Sequence, residues 1–183
     1  MSGWQNAFPL VADAQPVDTP VERAMALARW RQLPAYLKQE QANLDAGLAA
    51  GYSAPKRVVA RVTAQLGSIL AAPPDQSPFL SFALKAQNDV AFHAAIEKLA
   101  NEEITPAIAT FSNYLRVVYM PKARDDLSIK SSPNGEQCYE ALLRSYHTAK
   151  IGAKATYELG EAAVAANRQD VVQRGDALFG VTD

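Results

Sequence analysis

The most regular hydrophobic pattern in the chain lies between Asp89 and Arg124, in DVAFHAAIEKLANEEITPAIATFSNYLRVVYMPKAR. Ile104, Ile108, Phe111, Leu115 and Val118 recur at steps of four, three, four and three, which places them on one face of an α-helix. A helix from about Asp89 to Met120 would run roughly 48 Å, enough to span a domain of this size. Pro106 falls inside the pattern. It has no amide hydrogen and its ring crowds the carbonyl one turn back, so a kink is expected near Glu102 without a break. Asn88 or Asp89 can cap this helix, and Pro121 closes it.

The flanking pattern is helical too. Thr19, Pro20 and Glu22 form a helix start, with a hydroxyl cap, a proline at the first helical position and a glutamate placed to reach back. That helix should run to about Leu33. Pro34 marks a new start or a sharp kink, and Leu37, Leu44 and Leu48 give the next helix an apolar face, with Gln41 at its boundary, until Gly51 supplies a left-handed stop. Ser53 and Pro55 open a third helix striped by Val58, Val62, Leu66 and Ile69, which Pro73-Pro74 ends. The short apolar segment SPFLSFALK, Ser77 to Lys85, reads as a single helical turn plugging the bundle. Residues 122–133 are polar and turn-rich. After them, a helix from about Asn134 to Thr148 carries Tyr139, Leu142, Leu143 and Tyr146 on one side, with Glu140 and Arg144 spaced to pair. A last helix, about Ala153 to Arg174, offers Ala155, Leu159, Ala162 and Ala166 for close packing.

No alternating strand pattern appears, so the expected fold is all-α: a bundle of about six to seven helices around a long, proline-kinked central helix. Residues 1–18 have no period and contain Gly3, Pro9 and Pro16, so they read as an irregular arm pinned by Trp4 and Phe8. Residues 19–183 read as one helical domain, with 122–133 an internal loop.

Composition narrows the function classes. Of 183 residues, 49% are hydrophobic and 20% charged, and the formal net charge of −1 gives no global basic field for nucleic acid. No run of apolar residues is long enough for a membrane span. The first eighteen residues contain no lysine or arginine and Pro9 interrupts their apolar run, a poor export signal, so the chain as given is expected to be cytoplasmic. Its one cysteine, Cys138, has no intramolecular disulfide partner.

Candidate chemistry is sparse. His93 and His147 are the two histidines, neither with a second histidine four residues away, so the H-E-x-x-H zinc arrangement is absent and neither a metal site nor a cofactor is expected. No G-x-S-x-G elbow or phosphate-binding glycine loop occurs. Cys138 lies between Glu136 and Glu140, whose charges disfavour a thiolate. The carboxylate pairs Glu102-Glu103 and Asp125-Asp126 read as solvated surface. No residue is assigned a catalytic role. The best local candidate for a ligand or cleft-wall surface is Tyr139, Arg144, Tyr146 and His147, although Tyr139 and Tyr146 are also at core spacing.

The stretches PAYLKQEQANLDAGLAAGYSAPKRVVARVTAQL, SPFL, ITPAIATFSNYLRVVYMPKAR, PNGEQCYEALLRSYHT and TYELGEAAVAANRQDV, in that order, resemble the N-terminal helical part of the bacterial domain-of-unknown-function family numbered 885, over about residues 20 to 180. Full-length members look like α-helical zinc metallopeptidases of the thermolysin-related group, often exported, with an H-E-x-x-P-G-H zinc helix downstream of the matched region. No position here corresponds to a zinc ligand or the catalytic glutamate. Positions that match the family pattern are Gly135, Tyr139, Thr148 and Gly160, none expected to be catalytic. The last helix departs from the pattern: Ile151-Gly152-Ala153-Lys154 stands where threonine, proline and acidic residues are usual, and a first-turn lysine opposes the helix dipole.

The resemblance implies a non-catalytic, cleft-wall scaffold of a zinc-metallopeptidase-like protein. The alternative is a stand-alone helical protein that binds a small molecule or another protein. The partner expected in the first case is a missing catalytic region, and in the second a further copy covering an exposed apolar face.

Overall fold

The structure is a computed structural model that describes residues 3–73, 76–86 and 88–180. The segment expected to be irregular contains the first helix, α1 (Trp4–Asp13), with Pro9 inside it. Its aromatic side chains explain why it holds. Trp4 is buried against Phe79 and Phe111, and Phe8 packs on Trp30 and Tyr36, so two anchors one turn apart outweigh the donor that Pro9 lacks.

The helix α2 (Pro20–Trp30) opens as expected. Thr19 Oγ1 accepts from the Glu22 amide at 3.2 Å and the Glu22 carboxylate accepts from the Thr19 amide at 2.8 Å. The hydrogen bond from the Thr19 amide, the largest influence, holds the Glu22 carboxyl below its ordinary value. The next helix, α3 (Leu33–Ala49), ends on Gly51 at φ 84, where the Tyr52 amide reaches back to Gly47 O at 2.8 Å and the Gly51 amide to Leu48 O at 3.1 Å. That paired closure is the Schellman arrangement, and glycine adopts its left-handed residue without steric cost.

In α4 (Lys56–Ala71), Val59 and Leu66 are buried, with Val62 and Ile69 packed beside them. Val58, expected on this stripe, is instead 46% exposed and its neighbour Val59 faces the core. Pro73 follows the helix, and Pro74 lies outside the described residues. Residues Ser81–Ala86 form a 3₁₀ segment, and with Phe79 fully buried before it and Phe82 fully buried within it, this short stretch is core.

The central helix is one run with two wide turns. Asp89 caps α5 (Val90–Leu99) by accepting from the Phe92 amide at 2.9 Å, and the same carboxylate pairs with Arg23 at 2.8 Å. A π turn, Ala100–Ile104, then leads into α6 (Thr105–Tyr114). Pro106 stands in the first turn of α6, and the Thr105 amide bonds to Ala100 O, five residues back. The disturbance expected near Glu102 is therefore a widening of the helix immediately before the proline. A second π turn, Leu115–Tyr119, ends in the 3₁₀ turn Met120–Lys122 that contains Pro121. Its extra residue shifts the stripe, so that Tyr119 is buried whereas Val118, expected there, is 39% exposed.

Around this run the first unit closes its core: α6 packs on α3 and α4, and α5 on α2 and the 3₁₀ segment. The start of α4 is tied to the end of the run, with the Lys56 amide on Arg124 O at 2.7 Å, the Arg124 amide on Ala54 O at 3.2 Å, and the Tyr119 hydroxyl accepting from the Ala54 amide at 2.9 Å.

The chain divides into two compact units, Met1–Leu127 and Ser128–Asp183. The boundary falls inside the polar stretch 122–133, where an internal loop of one domain was expected; every buried hydrophobic side chain among the described residues lies from Trp4 to Ala123, so the core ends at the start of that stretch. The second unit consists of a 3₁₀ turn, Ile129–Ser131, followed by α7 (Gly135–His147) and α8 (Ala153–Phe179). At 27 residues α8 is about 40 Å long, and none of its side chains is buried. Ala155, Leu159, Ala162 and Ala166, expected to pack, are all exposed, and α7 of the same unit does not cover them.

With α5 and α6 counted as one continuous run, the described residues form seven helical rods and no β-strand, apart from an isolated bridge between Pro55 and Arg124. The fold is all-α, as the sequence pattern predicts.

Candidate functional site

The four residues singled out from the sequence all lie on α7. Asn134 at φ 52 precedes this helix and Thr148 at φ 58 ends it, both left-handed, and the Thr148 amide closes the last turn on Arg144 O at 3.0 Å. Gly135 is buried so tightly at the start that a Cβ there would lie 1.8 Å from Ile129 O. That close approach gives a physical reason for glycine at this position. At Gly160, by contrast, nothing lies within 4 Å of where a Cβ would stand.

Tyr139 and Arg144 are exposed, and Tyr146 is 86% exposed. His147 is half-buried; its Nδ1 accepts from the Ala149 amide at 3.3 Å, while Nε2 is buried without a partner. No hydrogen bond, ion pair or ring contact joins any two of the four. Glu140, expected to pair with Arg144, reaches α8 instead: its Oε1 accepts from the Ala153 amide at 2.9 Å. This carboxylate supplies, from another helix, the cap that Gly152 cannot, and it places a negative charge at the N-terminus of α8, where Lys154 is unfavourable. Lys154 in turn lies 3.8 Å from Glu158.

Described residues of the first unit line a polar and an apolar cleft, neither signalled by a motif. A polar one is lined by Val17, Asp18, Arg23, Lys85, Ala86, Asn88, Asp89 and Val90. Its cations are already engaged: Arg23 with Asp89 and with the carbonyls of Val17 and Asp18, Lys85 with the Asp13 carbonyl. It reads as a structural knot between α2 and the start of α5.

The other cleft is apolar, about 240 Å³, and lies among α1, α2 and α3, where Phe8, Val11, Trp30, Leu33 and Tyr36 form the walls and Arg29 and Gln32 the rim. Trp30 is buried, stacked on Phe82 at 5.6 Å, and its indole Nε1 has no hydrogen-bond partner. Burial, and then the nearby Glu40 carboxylate, raise the Tyr36 phenol above its ordinary value. The only sequence trace of this cleft is its aromatics, Phe8, Trp30 and Tyr36, which fall on three separate helices.

Tyr114 donates its hydroxyl to Asp45 Oδ1 at 2.7 Å, joining α6 to α3. Burial first, and then this accepting carboxylate, raise its phenol well above the ordinary tyrosine value. The tyrosine is locked as a donor.

Among the described residues, no three His, Cys, Asp or Glu side chains gather so as to hold a metal ion. No helix there is long and apolar enough to cross a membrane. Neither the curated proteins nor the solved structures contain a match to the chain. Residues 1–182 match a family described as "Bacterial protein of unknown function (DUF885)". A match over nearly the whole length shows that the chain belongs to this bacterial DUF885 family.

Proposed function

We propose that this chain is the non-catalytic, helical scaffold portion of a zinc-metallopeptidase-like protein, forming a cleft wall and contributing no zinc ligand. The observation that carries this reading is α8: a 27-residue helix with no buried side chain, bearing Tyr157, Leu159, Val164, Val171, Val172, Leu178 and Phe179 in the open. A helix this apolar and this uncovered suits a part that works against another part. The H-E-x-x-H pair is missing, and His93 and His147 are 54 residues apart on the helices of different units.

The test is metal content and peptide turnover of the purified chain. Substoichiometric zinc and no hydrolysis of a fluorogenic peptide library are expected. One zinc per chain together with turnover that a chelator abolishes would overturn the reading.

A second reading, a stand-alone helical binding protein, is favoured by the apolar cleft of Phe8, Trp30 and Tyr36. It is large enough for a ring or a branched aliphatic group, smaller than a whole drug-sized ligand. Titration of 3-phenylpropionate against Trp fluorescence reads it directly: a saturable change lost in Tyr36→Ala supports this reading, and a flat response removes it.

A further inference from the structure

We propose that α8 pairs with α8 of a second copy of this chain, antiparallel about a two-fold axis near Val164 and Ala165, held by reciprocal Glu161 to Arg168 ion pairs. The inference concerns this chain on its own and does not rest on the peptidase reading.

One shallow strip of α8 is formed by Tyr157, Gly160, Glu161, Val164, Ala165 and Arg168. Their steps of three, one, three, one and three place them on one helical face, and Val171 continues it seven residues beyond Val164. Tyr157, Val164 and Val171 are 65%, 59% and 62% exposed, so a row of apolar side chains is bare along about 21 Å of helix. Gly160 and Ala165 leave the row shallow beside them, which lets another helix come close.

Charge chooses the occupant. Most charges on α8 are neutralised within the helix, Lys154 by Glu158 and Arg174 by Asp170. Glu161 accepts only from the Tyr157 hydroxyl, at 2.9 Å, and Arg168 makes no ion pair with any described residue. Glu161 and Arg168 are seven residues apart, on the same edge of the strip, with opposite sign. A two-fold axis midway between them sets each Glu161 opposite the other copy's Arg168, twice per pair. In the same register Val164 meets Val164, and Tyr157 lies against Val171. The strip is therefore complementary to itself in both shape and charge when turned antiparallel, the property that an isologous dimer interface requires. A parallel pairing would set like charges against one another. A single helix pair buries less than a stable dimer interface usually does, so a weak, concentration-dependent dimer is expected.

Sedimentation velocity over a wide concentration range tests this with the full chain. Wild type is expected to show a reversible monomer–dimer equilibrium. Glu161→Arg and Arg168→Glu should each weaken it at least about tenfold, and the double exchange, E161R with R168E, should restore it. Val164→Asp, at the axis, should abolish it. All three positions are solvent-exposed, so circular dichroism should show unchanged helix content in every variant. A wild-type monomer at all concentrations, or a double exchange no better than the single ones, overturns the proposal. Zinc and turnover measurements read the scaffold proposal separately, so the two can fail independently.

Discussion

The two units of this chain are built from the same kind of sequence, apolar residues at helical spacing, yet they use it differently. In the first, the stripes converge. Phe79, Phe82, Leu66, Ile96, Ile104 and Ile108 are all but inaccessible, and the buried Tyr114 reaches out to the exposed Asp45 at their edge. In the second, Tyr139, Leu142, Tyr146, Tyr157 and Val164 have comparable spacing and remain exposed. Periodicity reports which residues share a face, whereas burial depends on a second face to meet it. One unit carries its own complement; the other presents a face.

Substitutions should separate the two sharply. Phe82→Ala, at a fully buried position, is expected to cost about 3–5 kcal/mol in urea unfolding, while Leu142→Ala on α7 should stay within about 0.5 kcal/mol. Equal costs would mean that the second unit has a core of its own. A smaller effect comes from Tyr114. Tyr114→Phe removes a hydrogen bond to a carboxylate and should destabilise by about 1.5–3 kcal/mol at neutral pH. Its pH signature is more specific. Because the folded state raises the phenol pKa, the native state holds its proton more tightly than the unfolded one, so stability should fall as pH rises above about 10. A shallower slope in Tyr114→Phe, with the part owed to Tyr36 remaining, is the expected result in thermal melts from pH 8 to 11. A more local effect belongs to the second unit. Glu140→Ala should fray the start of α8 by about 1 kcal/mol, seen as faster amide exchange at Ala153, with no change in the unfolding of the first unit.

Much of the first unit was legible before any coordinates. The Thr19 capping box, the Gly51 stop, the Asp89 cap and the disturbance before Pro106 are local chemistry, written within four or five residues of where they act. What escaped was phase and partnership. Val58 and Val118 fit their stripes by counting, but Val59 and Tyr119 take the core positions, and for Tyr119 a wide turn is the cause. Helix α1 was missed because Gly3, Pro9 and Pro16 punctuate it, and only tertiary contacts by Trp4 and Phe8 make it worthwhile. The cap from Glu140 was hidden for the same reason: an i,i+4 neighbour, Arg144, is visible in sequence, while an amide thirteen residues away is not. The apolar cleft of Phe8, Trp30 and Tyr36 draws on three helices at once and leaves no signature in any one of them.

The paired wide turns of the central run bear on how this chain tolerates length changes. Deleting one residue from an ordinary helix swings everything beyond it by about 100° and turns a buried row toward solvent. Each π turn here, at Ala100–Ile104 and Leu115–Tyr119, already holds one residue more than ordinary helical bonding requires. A deletion inside the second, where no proline intervenes, would relax that turn to regular helix and leave the rows on either side in phase. The run therefore contains its own slack, and a one-residue deletion there should leave this chain's core intact.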